Sequence, residues 1–426
     1  MPEHLTLNVN LQGFGQRPAA WQLGDRGGDA LLGHEHWVAS VKAAERGLLD
    51  AIFFADQPAA GNPNPRPGSQ LEPIALAALL TGATEHVGVI ASASSTYNDP
   101  VELAERLLGT DVVTGGRLGW NIVTTYNPNV SGNFGVASNP DRATRYRIAA
   151  DFVAAVRTVW QAAADDGRYE HEGEFFRIDG TTPVRSSAQG HPVLFQAGGS
   201  GPGRDLAARV ADGVFTVELT LPKAIQNRRE LQAAAAALGR PGLPKVTPGL
   251  SLVIGSTEEE ARARFDDLES RVPDDYALGA LSNVIGHDAR TLPLDEPIPA
   301  EILDAPWDPD AHATSAGYRL TFQDWIQERR RSTVREIVRD FGGYGARIII
   351  GTPERIADDI EHWFRAGAAD GFNLMLDAFP EGLELFADHV TPLLQAKGIH
   401  KREYGTATLR DAIGAAPVRG RALRAG

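Results

Sequence analysis

The sequence predicts an α/β fold, specifically a (β/α)8 barrel, and three observations carry that expectation. Short β-rich runs alternate with Ala-rich helical runs about eight times along the chain. The run AIFFA at 51–55 is apolar throughout, as a strand covered by helices on both faces must be. No internal repeat and no domain-separating linker interrupts the 426 residues. A doubly wound open sheet has the same alternation and is the structural alternative.

Taken in order, residues 5–11 alternate apolar and polar as a strand does. Residues 13–33 read as a loop, 34–47 as a helix ending at glycine, and 58–68, rich in Pro, Gly and Asn, as a loop. A helix is expected at 72–82, a strand at 86–92 and a helix at 100–113 with Pro in its first turn. A strand at 118–123 leads through a Thr/Tyr/Asn/Pro/Gly loop to a long amphipathic helix at 141–164. Residues 168–184 form a small excursion, read as a hairpin.

Strands follow at 192–196, 213–218 and 245–254, with helices at 203–211, 222–238 and 257–271; Thr257 is the N-cap of the last, with Glu260 three residues on. Regular alternation breaks from 272 to 345, an insertion near the seventh or eighth strand in which one helix, 321–340, is expected. It resumes with a strand at 347–351, a helix at 353–366, a strand at 371–376 and a helix at 382–395. The tail at 398–426, rich in Arg, Ala and Gly, is expected to wrap the surface or lie partly loose. The whole chain reads as one domain.

Composition narrows the function. The apolar fraction of 42% and charged fraction of 23% are those of a soluble globular enzyme. The absence of cysteine removes disulfides, thiolate metal sites and cysteine nucleophiles. A net charge of −14 and a pI near 5.3 argue against nucleic acid or an anionic membrane as partner. With no membrane-length apolar run and no secretory signal pattern, a cytoplasmic location is expected.

The chemistry-bearing residues gather at strand ends. Asp56 directly follows the strand at 51–55, and Ser92, Ser94, Ser95 and Thr96 leave the strand at 86–92. Asn121 and Thr124 offer donors and acceptors beside Trp120 and Tyr126. The run from Gln196 to Gly203, QAGGSGPG, joins a strand to a helix; its glycines permit close backbone approach, and free N–H groups at the helix start suit a phosphate. It is neither a dinucleotide fingerprint nor a nucleophile elbow. His34 and His36, two apart on a helix, do not face together and read as a solvated helix start rather than metal ligands; no metal is expected. Phe152, Val156 and Trp160 read as a core stripe.

An ordered set of motifs adds a resemblance. TYNDP (96–100), GGRLGWNIVT (115–124), NFG (133–135), the pair Arg145-Tyr146, FQAGGS (195–200), IIGTPERIADDI (349–360), DGFN (370–373) and YGTATLRDAIG (404–414) together resemble the bacterial luciferase-like flavin-dependent monooxygenases. The similarity is to the branch holding nitrilotriacetate monooxygenase, the pristinamycin synthase large subunit and dibenzothiophene-sulfone monooxygenase. It implies a (β/α)8 barrel that takes reduced FMN from a separate NAD(P)H:flavin reductase. Through a C4a-hydroperoxyflavin formed with O2, such an enzyme oxygenates a small organic substrate.

By position, the resemblance implies Asp56 and Ser94 near the isoalloxazine ring and Asn121 at the pocket wall. Tyr146 would lie at the phosphate or ribityl end, with Gly199, Ser200 and Gly201 binding phosphate. Two positions depart from the family pattern. Arg142 stands where relatives commonly carry a histidine and could pair with the phosphate, and Arg17 likewise replaces a histidine near the N-terminus. No catalytic acid or base is assigned. The resemblance also implies a homodimer or homotetramer, and the insertion is long enough for a lid. An F420-dependent oxidoreductase of the same fold and a non-catalytic flavin-binding protein are the alternatives.

Overall fold

The computed structural model describes residues 4–24, 28–56, 58–59, 71–199, 201–306, 316–341 and 346–418. Among these residues nine parallel strands are present: β1 (Thr6–Asn10), β2 (Ala51–Phe54), β3 (Gly88–Ser94), β4 (Leu118–Val123), β7 (Val193–Gln196), β8 (Gly213–Thr216), β9 (Lys245–Ile254), β10 (Arg347–Gly351) and β11 (Gly371–Leu376). Strands β5 (Arg168–Glu172) and β6 (Arg177–Thr181) form the expected antiparallel hairpin outside the ring. Eight strands close the barrel in the order β1-β2-β3-β4-β7-β8-β9-β11 and back to β1. The ninth, β10, is a branch. Strand β9 pairs with β8 through residues 245–248 and then, as β8 ends, with β10 through 250–254 on that same edge.

Helices cover the ring as the Pro and N-cap signals predict. They are α1 (Glu35–Arg46), α2 (Pro73–Gly82), α3 (Pro100–Val113), α4 (Arg142–Ala164), α5 (Gly201–Val210), α6 (Leu221–Ala237) and α7 (Glu258–Ser270). Asp99 caps α3 through the N–H groups of Val101 and Glu102, and Asp141 caps α4 through that of Thr144. Thr257 accepts from Glu260 N as expected, but the Glu260 carboxylate returns to Ser256 rather than Thr257. The third strand begins and ends two residues later than the expected 86–92, which puts Ser94 inside it.

Three expectations need correction. Among its described residues the insertion holds four α-helices rather than one: α8 (Asp274–Ile285), α9 (Ala300–Leu303), α10 (Ala316–Gln327) and α11 (Val334–Phe341). Leu281, Val284, Phe322, Ile326, Val334 and Ile337 give them a separate small core, which packs on Val217 and Leu219 just past β8. Beyond β10 comes α12 (Pro353–Arg365), and the helix expected at 382–395 is broken. It runs as α13 (Glu381–Leu385), a π-helical turn Phe386–Val390, and α14 (Thr391–Ala396), where Pro392 has no N–H to continue the ladder.

The tail is the third. Rather than lying loose, α15 (Leu409–Ala412) inserts under the barrel, and Leu409 and Ile413 pack with Ala51, Ile90, Val193 and Phe195 in its lumen. Apolar residues in an Arg/Ala/Gly-rich stretch look too sparse to form a core until the open barrel base is seen to need them.

One device recurs at that N-terminal face. Asp50, Asp212 and Asp370 each immediately precede a strand (β2, β8 and β11) and accept a backbone N–H from a neighbouring strand: Leu7 at 2.8 Å, Leu194 at 3.0 Å and Val246 at 2.9 Å. Each is also ion-paired, with Lys401, with Arg240 and Arg410, and with Arg228 respectively. After Asp370 the residue must be glycine, since a Cβ on Gly371 would lie 1.8 Å from the carbonyl oxygen of Thr6. A barrel's N-terminal face serves stability.

Asp111 adds a fourth acid there, accepting from Leu118 N at 3.0 Å, from Gln189 at 2.7 Å and from the Ser187 hydroxyl. Burial pushes its carboxyl up to about 7, against the opposing hydrogen bonds of Ser187, Leu118 and Gln189. Because the folded state holds this proton more tightly, Asp111 stabilises fully below pH 4 and loses that contribution as pH rises to about 7. The buried histidines act oppositely. Burial depresses His191 to about 3 and His400 to about 4, so their contribution is complete above pH 6.5 and fades as pH falls through 4. Asp111→Asn, which keeps an acceptor for Leu118 and Gln189, should therefore unmask a steeper rise in stability from pH 4.5 to 7.5. Urea midpoints at the two pH values test this; equal slopes in variant and parent would refute it.

Candidate active site

The β1 strand alternates as expected, but its polar side faces the barrel lumen, not water. Asn8 and Asn10 are buried, and Asn8 is the register partner of Asn373 on β11. Neither amide of that pair hydrogen-bonds a described residue, nor does Ser251 on β9. The lumen thus carries unsatisfied polar capacity toward its C-terminal mouth, where an α/β barrel keeps its chemistry.

The mouth is assembled from four consecutive strands of the ring, β2, β3, β4 and β7. Asp56 stands half-buried two residues past β2. Ser94 ends β3, facing inward, and its hydroxyl meets that of Thr125 at 2.6 Å while accepting from the N–H groups of Thr96 and Tyr97. Asn121 on β4 lies in register with Ser92 and donates to its hydroxyl at 2.8 Å. That bond fixes the amide so that its Oδ1 is left buried and without a described partner. Trp120, the next residue back, does not offer its ring to the mouth as expected; it points outward to Phe152 and Trp160, the expected core stripe on α4, and belongs to the core.

Thr125 was not singled out from the sequence. Its φ is +47°, the left-handed region that a β-branched residue adopts at a cost of about 1–3 kcal/mol. The loops hold it there. Thr96 donates to Thr124 O at 3.0 Å, and Asn139 donates to Thr125 O at 3.3 Å and to Asn127 O at 3.0 Å. Tyr97 donates to Asn139 and stacks on Phe134 with centroids 4.6 Å apart. The Asn139-Pro140 pair, a turn signal directly before the α4 N-cap, was the available clue.

Asn139 also brings the start of α4 to the mouth. Arg142, in its first turn, lies 6.0 Å from the centroid of the Tyr146 ring, and its guanidinium donates no hydrogen bond to a described residue although one terminal nitrogen is buried. Arg145 beside it donates to Pro140 O at 2.6 Å. Helix α5, which follows the neighbouring strand β7, packs against α4, so both helices present their N-termini at this rim. In the β7–α5 turn Gly199 and Gly201 are exposed, whereas a Cβ on Gly198 would come within 2.8 Å of the Gly203 backbone. Ser200 lies outside the described residues.

Other expected residues fall elsewhere. Arg17 does not join this row: it is buried, stacks over Phe265 at 4.7 Å and pairs with Glu269 at 3.2 Å, tying the loop after β1 to α7. Beside it Asp377, just past β11, pairs with Arg264 of α7. His36 is not solvated as expected; it is buried against Phe14 and bonds Gly13 O at 2.8 Å, while His34 is exposed. A cleft of about 200 Å³ under the insertion, lined by Glu269, Leu278, Arg335 and Arg339 among others, contains none of the expected site residues. Trp307 lies outside the described residues, as does the side chain of Tyr318.

Comparison with known proteins decides the family. The model for the luciferase-like monooxygenases matches residues 21–370. The chain belongs to that family. Among its relatives, N-acetyl-S-(2-succino)cysteine monooxygenase of Bacillus subtilis (strain 168) is 33% identical, with 97% of each chain covered. Nitrilotriacetate monooxygenase component A of Aminobacter aminovorans is 35% identical, with 90% of each covered. The solved EDTA monooxygenase from Chelativorans sp. BNC1 superposes with a TM-score of 0.81 at 32% identity, covering 97% of this chain and 99% of that one. This luciferase-like protein is accordingly a flavin-dependent monooxygenase on a (β/α)8 barrel. Among its described residues no helix is long and apolar enough to cross a membrane.

Proposed function

We propose that the chain is the oxygenase component of a two-component system. It takes reduced FMN from an NAD(P)H:flavin reductase and transfers one atom of O2 to a small organic substrate. The observation that carries this reading is the buried guanidinium nitrogen of Arg142, unbonded among the described residues, in the first turn of a helix that packs on the one following the glycine turn, a donor set that suits a phosphate monoester. When bound, reduced FMN supplies the electrons that activate O2.

The chain's own residues do the rest. Arg142, Tyr146 and the turn containing Gly199, Ser200 and Gly201 hold the phosphate and ribityl end. Asn121 Oδ1, held by Ser92, accepts from the ring, and Ser94 and Asp56 border it. The helical insertion over β8 covers the mouth and keeps water from the reacting atoms. Full turnover by a chain lacking the insertion would remove that last role.

The test combines the purified chain, FMN, a separate NADH:flavin reductase and ¹⁸O2 with a panel that includes nitrilotriacetate, EDTA and N-acetyl-S-(2-succino)cysteine, on which the relatives act. Label in an organic product, dependent on both proteins, is expected. Catalytic NADH oxidation by this chain alone, or tight binding of F420 in preference to FMN, would overturn the proposal.

A further inference from the structure

The two hydroxyls that meet at the mouth fix their own proton order. Ser94 Oγ accepts from Thr96 N at 3.1 Å and from Tyr97 N at 3.2 Å, which fills both lone pairs of a hydroxyl oxygen. Its proton is therefore donated to Thr125 Oγ1, 2.6 Å away. The Thr125 proton must then point elsewhere. Thr125 is buried, and its hydroxyl meets no second polar group among the described residues. Ser94 faces the lumen, so the Thr125 hydroxyl stands at the inner rim with an O–H that still needs an acceptor.

The backbone bears strain to keep this hydroxyl. At a φ of +47° a glycine would lie relaxed and a β-branched residue does not. Side chains of Thr96 and Asn139 hold the carbonyls of Thr124 and Thr125 in place, so the strain is built in. We propose that Thr125 selects the redox state of the cofactor: its hydroxyl donates to a ring carbonyl oxygen of FMN and holds the reduced form more tightly than the oxidised one. Reduced FMN is an anion at neutral pH, with charge spread onto those carbonyls, and a hydrogen bond to an ionised acceptor is about twice as strong as a neutral one. Ser94 orients the donor, and the two N–H groups behind Ser94 polarise it. An oxygenase fed from a mixed flavin pool thereby takes up the form that reacts with O2. The inference rests on the flavin reading above, because that reading places the ring beside Ser94.

Affinities for reduced FMN, titrated without oxygen, and for oxidised FMN are measured in the parent and in three variants. Thr125→Val removes the hydroxyl and keeps the branched shape. Thr125→Gly removes it and relaxes the backbone, so a donor-free protein that folds is available. Thr125→Ser keeps the donor. Val and Gly should each weaken reduced FMN about tenfold and oxidised FMN no more than about threefold, and Ser should retain the parent's preference. A general disturbance of the pocket would weaken both forms alike. Equal losses for the two forms, no loss for reduced FMN, or a serine variant no better than valine overturns this assignment alone. A parent that binds neither form of FMN overturns the cofactor reading and this one with it.

Discussion

Arg410→Ala is expected to lower the free energy of unfolding by about 3–5 kcal/mol, because it strips one partner from a buried, fully engaged network. Arg410 is 2% exposed. Its guanidinium donates to Gln189 O at 3.2 Å, Ala416 O at 3.0 Å and His191 O at 3.3 Å, and it pairs with Asp212 at 3.4 Å. Its own N–H reaches Gln189 Oε1 at 3.0 Å, and Gln189 in turn bonds Asp111 and Leu118 O at 2.7 Å. Removing it leaves Asp212, among the described residues, with the more distant Arg240 at 3.6 Å as its cation and loosens the helix that carries Leu409 into the lumen. Arg410→Lys should recover part of the loss, since one ammonium cannot reach carbonyls that a planar fork spans. Denaturant midpoints settle it. An unchanged midpoint in Arg410→Ala would mean the tail does not hold the barrel base.

The second large effect is on ligand binding. Arg142→Ala should weaken FMN binding about 10- to 100-fold, the range for one charge-assisted hydrogen bond, and the loss should shrink as salt is raised. Stability should hardly change, since Arg142 makes no hydrogen bond within the described protein and only a distant contact with Tyr146. Riboflavin, which lacks the phosphate, separates a phosphate contact from a general disturbance of the pocket. Parent and variant should bind it equally. Equal losses for FMN and riboflavin, or none for FMN, would remove Arg142 from the phosphate site.

Much of the architecture was readable because local signals agreed with it. Strands β4, β9, β10 and β11 and helix α3 fall at their expected residues, each bounded by Gly, Pro or a capping side chain. The misreadings have physical causes. Broken helices in the insertion and after β11 looked continuous because their apolar period persists across the break; packing alone decides where the chain turns. The tail was misjudged because its buried arginine looks like a surface residue until carbonyls are found around it.

The strand-end positions of Asp56, Ser94 and Asn121, and the glycine turn before α5, were legible in the sequence. The rest was less so wherever conformation mattered: nothing in the letters TTYN announces a left-handed threonine. The Asp-Gly and Asp-Ala pairs before β2, β8 and β11 were a visible repeat, but only the ring explains why an acid should precede a strand.

The closing of this ring has a consequence for how the protein is made. The first strand pairs with the last, Thr6 beside Gly371, and the residues that fill the base, Leu409 and Ile413, lie further on still. A chain emerging from the ribosome can build the β1–β4 arc early and add β7 and β8 to one edge, but the β1 edge stays open until almost the whole polypeptide is out. Nascent or prematurely ended chains therefore expose strand edges and an unfilled apolar lumen, the features that drive aggregation and recruit chaperones. Quality control of this enzyme should turn on its last residues, with stop codons just before Leu409 yielding insoluble chains although every barrel strand has been synthesised.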